Sequence, residues 1–300
     1  MVVTILSHHD CAGSARRLAE SVAVLGVDIE SIGMRRGKTN KKFGIPDSKT
    51  IKGTGIEWVR SRIERSDIIH IKGDYLYNEF WHGFDISGKK RVQTFTGSRF
   101  RRGREQVVSL AKHPIKDYKA DIFTAFTPEL CYTKGIRLLE FAYPDFEYKW
   151  RRQEKFHIVH VPSNKKRKGT EVILEALSLL NRDDVKITLV TGVKYQEMLR
   201  LKADASIYID QMILPVYGNA AVEAMAQGIP TMNWDENCYP YATPVIKPFD
   251  RSPQMIALEI EKWLNWDRLE KLSRETFKYA REVHGGVGQR LLKIYQELCE

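Results

Sequence analysis

Short apolar runs and amphipathic runs alternate along this chain, pause at one Pro-marked charged stretch, and then alternate again. Residues 2–7 are apolar and predict a buried strand. Residues 14–25 carry Ala15, Leu18, Val22 and Leu25 at helical spacing, and Gly26 ends the run. The pattern predicts strands at 27–34, 67–72, 91–96 and 120–126, and helices at 56–65 and 104–111. Residues 35–52 are polar and Gly/Pro-punctuated and predict a long loop. A linker is expected at 143–155. Beyond it come strands at 156–161, 186–190 and 206–209. Helices are expected at 170–180, 195–201, 220–226, from 253 on, at 267–281 and at 287–299, with Gly285-Gly286 between the last two. Strand–helix alternation is the mark of a parallel sheet covered on both faces. The expected fold is therefore α/β, with two Rossmann-like domains (1–150 and 151–286) facing a cleft, where ligands of such sheets bind.

A length of 300 residues suits two ordinary domains. No run approaches the roughly 18 apolar residues of a membrane span, and the N-terminus reads as a first strand rather than a signal peptide. Cys11, Cys131, Cys238 and Cys299 lie far apart with no C-x-x-C pair, which argues against a zinc ribbon or disulfide scaffold and for a reducing cytoplasm. Charge is uneven: 33 basic and 19 acidic residues up to 168, then 15 and 19. That asymmetry predicts an anionic partner on one side of the molecule, or a basic face that keeps the chain soluble.

Two segments carry chemistry. In the first, the strand ending at His160 runs through Ser163 and Asn164 into Lys165-Lys166-Arg167-Lys168 and then Gly169-Thr170. A strand edge beside a helix start suits an anion, and lysine offers a point charge for phosphate. A plain basic surface loop is the alternative. In the second, Tyr208-Ile209-Asp210-Gln211 is followed by Pro215-Val-Tyr-Gly218-Asn219-Ala220-Ala221-Val222-Glu223, which leads to Gly228-Ile-Pro230. Asn219 is a strong N-cap type, residues 220–227 are good helix material, and Gly228 and Pro230 stop it. Glu223 lies one turn in among apolar neighbours, so its carboxylate needs partners. A nearby lysine or backbone amide would serve, and so would a pair of ligand hydroxyls. Together these elements suit a nucleoside diphosphate.

These two segments, with Asp10-Cys-Ala-Gly13-Ser14-Ala-Arg-Arg-Leu18 near the start, resemble the GT-B glycosyltransferases of the retaining family-four, "glycosyltransferase family 1" type. The resemblance implies a nucleotide-sugar donor held by the second domain, UDP being the expected nucleotide, and an acceptor held by the first. It implies that the last helix (287–300) crosses back to the first domain. Lys168 would contact the donor diphosphate and stabilise the leaving group, with Ser163 and Asn164 in the same loop. Gly218 and the amides of Asn219, Ala220, Ala221 and Val222 would meet phosphates or sugar, and Glu223 the ribose hydroxyls. Gly192 would lie near the nucleobase, and Gly13 and Ser14 would approach the donor from the opposite wall. The chain departs from the family pattern twice: Pro215 stands eight positions before Glu223, where a first glutamate is usual, and Thr96 stands where many members have a histidine.

No D-x-D motif is present, so no metal and no tightly bound cofactor is expected. His157 and His160 are three apart on a strand, on opposite faces, and suit packing. Asp10 is a candidate to meet the acceptor hydroxyl, or a capping residue. The clusters Arg35/Arg36/Lys38/Lys41/Lys42, Lys89/Lys90/Arg91 and Arg99/Arg101/Arg102/Arg104 lie near aromatics that include Tyr75 and Trp81. Cationic tracks with stacking side chains serve nucleic acid. Thr96, Arg99, Arg101, Arg102, Tyr75 and Trp81 are accordingly the candidate acceptor contacts. A hydroxymethylated base in duplex DNA is the first expectation for the acceptor. An anionic glycolipid at a membrane surface, or a polysaccharide, is the second. A non-catalytic nucleic-acid-binding protein is the rival from another class.

Overall fold

The computed structural model describes the chain apart from residues 37, 97–114, 132–133, 144 and 237–238. In chain order its elements begin with β1 (Val2–Ser7), α1 (Ser14–Ala23), β2 (Asp28–Gly33), α2 (Lys38–Phe43), β3 (Lys49–Thr50) and α3 (Ile51–Thr54). Next come α4 (Ile56–Glu64), β4 (Ile68–Lys72), α5 (Tyr77–Phe80), β5 (Lys90–Phe95), β6 (Ile122–Ala125) and β7 (Ile136–Leu138). Then follow β8 (Phe156–His160), α6 (Lys165–Lys168), α7 (Thr170–Ser178), β9 (Val185–Leu189), α8 (Tyr195–Ala203), β10 (Ile207–Gln211) and α9 (Asn219–Met225). The chain closes with β11 (Thr231–Asn233), β12 (Val245–Ile246), α10 (Pro253–Trp263), α11 (Trp266–Tyr279) and α12 (Val287–Cys299). It divides into two units, Met1–Ala142 with Gly286–Glu300, and Tyr143–Gly285.

In the first unit the described strands form one parallel sheet in the order β3-β2-β1-β4-β5-β6-β7. Alternation along β1 sends Val3 and Ile5 to one face, with Leu18, Val22, Leu291 and Tyr295, and Leu6 to the other, with Ile63, Ile71, Trp81 and Phe84. Helix α12 packs on α1 because Gly288 is bare: a Cβ there would stand 2.0 Å from the Ser21 carbonyl oxygen. A buried relay crosses the sheet, with Tyr295 Oη and Thr94 Oγ1 each 2.6 Å from a His70 ring nitrogen and Thr124 Oγ1 2.6 Å beyond Thr94. Burial, helped by Lys72, pushes the His70 imidazole down to about 3.

The second unit holds a parallel sheet in the order β12-β11-β10-β8-β9. Its core joins Ile158, Ile207, Ile209, Ile173, Met232 and Ile260.

Three expectations need correction. Residues 35–52, expected as a loop, contain α2, because Asn40 turns inward and ties down the β1–α1 connection. Its side chain donates to the Asp10 carbonyl and accepts from the Ala12 amide. Strand β10 extends to Gln211, which brings Asp210 into the sheet. After Tyr279, α11 passes into a wider helical turn over Ala280–His284 rather than stopping at Arg281. The helix expected at 104–111 lies outside the described residues.

Candidate functional site

The carboxyl edge of the second sheet brings the two motif segments together. After β8 the chain makes the single turn α6, capped by Asn164, whose Oδ1 accepts from the Arg167 amide at 2.9 Å. Lys165, Lys166 and Arg167 are exposed. Lys168 turns back, and its Nζ lies 2.5 Å from Asp210 Oδ1. Its carbonyl accepts from the Met212 amide, so the backbone and the side-chain tip are both held. Asp210 is fully buried at a register shift in β10, where a bulge re-aims side chains. Its other oxygen accepts from the Gly218 amide at 3.2 Å. The 212–217 loop is strapped down by Gln211, which donates to the Val216 carbonyl, and by Tyr217, whose hydroxyl lies 2.6 Å from that of Tyr279.

Helix α9 then begins, capped by the Gly218 backbone and not by Asn219 as expected. The Gly218 carbonyl accepts from the amides of Ala221 and Val222, so those two amides are engaged within the helix. Asn219 is the first helical residue, and among the described residues its Oδ1 has no hydrogen-bond partner. Ala220 is half-buried at this helix start, whereas Ala221 and Val222 are buried.

Glu223 is buried on the next turn. Its Oε1 accepts from Tyr195 Oη at 3.1 Å and its Oε2 from Lys202 Nζ at 2.8 Å. Tyr195 and Lys202 stand two turns apart on one face of α8. Lys202 is fully buried and also donates to the Ala220 carbonyl at 2.8 Å. Burial pulls its ammonium below the ordinary lysine value, and the Glu223 charge opposes that shift. Lys168, half-buried, and Lys202, fully buried, thus each pair with a buried carboxylate, Asp210 and Glu223. The second motif segment held Asp210 without a role assigned to it, and Tyr195 and Lys202 were missed.

Ser163 is exposed at the head of the α6 loop. Gly192 occupies an exposed turn with φ +80°, leading from β9 to α8. His157 donates from Nδ1 to the Asp204 carbonyl and accepts from Thr188. His160 donates to the Ile209 carbonyl and accepts from Thr170. Burial lowers both imidazoles below the ordinary histidine value. Among the described residues no three His, Cys, Asp or Glu side chains converge as a metal site, and no helix is long and apolar enough to cross a membrane.

The first unit treats its candidates differently. Asp10 is fully buried and caps α1, accepting from the Ala15 amide at 2.6 Å, the Arg16 amide at 3.0 Å and Ser48 Oγ at 2.8 Å. Lys72 Nζ stands 3.7 Å away. The carboxylate is therefore engaged as a cap rather than presented to an acceptor. Gly13 has φ +70°, and a Cβ on it would stand 2.7 Å from the Pro46 carbonyl oxygen, so packing against that loop requires glycine. Ser14 beside it is buried. Tyr75 and Trp81 are core residues and not acceptor contacts: Trp81 is fully buried, and Tyr75 is 7% exposed with its hydroxyl on the Lys72 carbonyl. Thr96, after β5, is held by Asp74 through its amide at 2.6 Å and its hydroxyl at 3.0 Å. Arg99, Arg101, Arg102 and Arg104 lie outside the described residues. The remaining basic clusters do not share one side. Arg35, Arg36, Lys38, Lys41 and Lys42 are exposed after the carboxyl end of β2, whereas Lys89, Lys90 and Arg91 sit at the amino end of β5, the opposite edge of the same parallel sheet.

No protein-family model and no curated protein matches the sequence. Solved structures do match over its whole length. A glycosyltransferase from Rickettsia africae superposes with a TM-score of 0.70 at 12% identity, over 100% of this chain and 99% of that one. An alpha-glucosyltransferase in complex with UDP and a 13-mer DNA containing a HMU base gives 0.68 at 9%, over 100% of both chains. A sucrose-phosphate synthase from Thermosynechococcus elongatus gives 0.67 at 13%, over 99% of both. The chain has the fold of the GT-B glycosyltransferases, mixed α/β with two parallel sheets. At these identities the likeness is one of fold.

Proposed function

We propose that this protein is a glycosyltransferase that moves a sugar from a nucleoside-diphosphate sugar, with UDP as the nucleotide, to an acceptor hydroxyl. The observation that carries this is the meeting of Lys168 and Gly218 at the carboxyl edge of the second unit's sheet, where both are hydrogen-bonded to Asp210. A cation and a bare glycine backbone there suit a diphosphate, whereas Glu223, expected on the ribose hydroxyls, is buried one turn on with its oxygens on Tyr195 and Lys202 and supports this edge from within. Ser163, Asn219 and Ala220 border the same edge. In transfer, the bond between the anomeric carbon and the diphosphate oxygen breaks and its electron pair leaves with the diphosphate. The acceptor oxygen bonds to the anomeric carbon and gives up its proton to the departing diphosphate oxygen. Lys168 stabilises the departing charge, an effect of about 3–4 kcal/mol for one well-placed group. The transfer proceeds without a metal and with retention, the outcome that the motif resemblance implies.

The acceptor we propose is a hydroxymethylated base in DNA, flipped from the duplex. The exposed cations Arg35, Arg36, Lys38, Lys41 and Lys42 suit duplex phosphates, and a structure of the same fold is that of a glucosyltransferase bound to UDP and modified DNA. The test is mass spectrometry of products from pooled nucleotide sugars with hydroxymethylated DNA, a glycolipid and a polysaccharide as acceptors. Sugar on the DNA supports the full reading. Sugar on another acceptor keeps the transferase and overturns the DNA. DNA binding with no transfer from any donor makes the protein a plain nucleic-acid binder. Lys168→Ala is expected to lower donor turnover at least tenfold with the fold retained. Unchanged turnover in that variant removes Lys168 from the site.

A further inference from the structure

We infer that Asp210 is a positioning residue for the donor diphosphate, a clamp that holds Lys168 and the Gly218 backbone together before the ligand arrives. This rests on the donor reading above. Asp210 is fully buried, and its two oxygens divide between the two motif segments. One accepts from Lys168 Nζ at 2.5 Å, the other from the Gly218 amide at 3.2 Å. The carboxylate itself presents nothing to solvent, so it does not touch the ligand. What it does is select one lysine among the four cations of α6: Lys165, Lys166 and Arg167 stay exposed while Lys168 is drawn over Gly218.

The placement leaves a defined space. A Cβ built on Gly218 would lie 3.9 Å from both Lys168 Nζ and Asp210 Oδ2. The ammonium and the carboxylate therefore border the one residue of this loop that lacks a side chain. A long lysine ordered only on binding would lose rotamer freedom at that moment, and a lysine already held does not. A charge fixed in advance also costs no reorganisation as the leaving group develops its own. Asp210 sits in a strand, 42 residues from Lys168 in sequence, and acts only through its two partners.

The experiment measures the affinities of the wild type and of Asp210→Asn for a nucleoside diphosphate and for its nucleoside. UDP and uridine are used, or the strongest pair found among UDP, GDP, ADP and TDP. Asparagine keeps the shape and can still accept from Gly218, but it loses the charge that holds Lys168. The expected result is an at least tenfold weaker diphosphate, about 1.4 kcal/mol, with the nucleoside unchanged. In a Lys168→Ala background the same substitution should have no further effect. A merely structural aspartate would weaken both ligands together and lower the unfolding temperature. Asp210→Asn binding the diphosphate as tightly as the wild type, or more tightly, overturns the clamp and leaves the donor site standing. A wild type stabilised by no nucleoside diphosphate overturns both. Gly218→Ala gives a second variant that the contacts at 3.9 Å allow to fold. Its methyl should weaken the diphosphate alone, and unchanged affinity also counts against the arrangement.

Discussion

Replacing Lys202 with methionine tests the buried charges of the second unit most directly. Lys202 is 0% exposed and Glu223 4%, with 2.8 Å between Nζ and Oε2. Methionine matches the length of the lysine stem but offers no donor, so the Glu223 carboxylate loses its cation while still buried. Breaking a buried pair from one side costs about 3–5 kcal/mol, because the charge left behind has no solvent to return to. The Ala220 carbonyl loses its donor as well. For a unit of this size that predicts an unfolding temperature lower by roughly 10 °C. The assay is urea and thermal unfolding followed by tryptophan fluorescence, to which Trp150, Trp234, Trp263 and Trp266 of this unit contribute. The double variant Lys202→Met/Glu223→Gln removes both charges and should recover more than half of the loss. A single-variant cost below about 1 kcal/mol would mean that the pair is solvated. A double variant no better than the single would mean that packing, not the stranded charge, sets the cost.

Two further predictions concern the first unit. The folded His70 imidazole is held near 3 by burial, against an ordinary value of 6.5. Below pH 6.5 the unfolded chain takes up a proton that the folded chain refuses. The stability present above pH 6.5 is therefore lost on acidification, by about 1.4 kcal/mol per pH unit from this residue, until pH 3. His157 and His160 act in the same direction. Unfolding free energy followed from pH 7 to 5 should fall less steeply in His70→Gln, and identical slopes would refute the assignment. Trp81→Ala should cost about 3–5 kcal/mol as a core truncation and leave the acceptor KM unchanged at temperatures where the variant is folded. A raised acceptor KM with unaltered stability would return Trp81 to the binding surface.

Much of this molecule was legible along the chain. Strand and helix periods carry their own signal, so the alternation pointed to the α/β class and to its one restart. Lys168, Gly218 and Glu223 stood out as candidates because each stands at a fixed distance from a strand end or a helix start, and that local geometry is written in neighbouring residues. Local patterning was less able to place α2. Its six residues look like loop until Asn40 closes on Asp10, 30 residues away.

What the linear order could not supply was the set of partners. Glu223 meets Lys202 and Tyr195 across 21 and 28 residues, and Lys168 meets Asp210 across 42. No spacing rule links them, because the sheet, not the chain, makes them neighbours. Aromatic residues such as Tyr75 and Trp81 look the same in a sequence whether they stack on a ligand or fill a core, and only packing decided for the core. Charge composition adds Arg35–Lys42 to Lys89–Arg91, yet a parallel sheet has two distinct edges, and strand direction placed the clusters on opposite ones. Local propensity thus determined the elements. Long-range packing decided which ionisable groups are buried together, because desolvation depends on everything that surrounds a side chain.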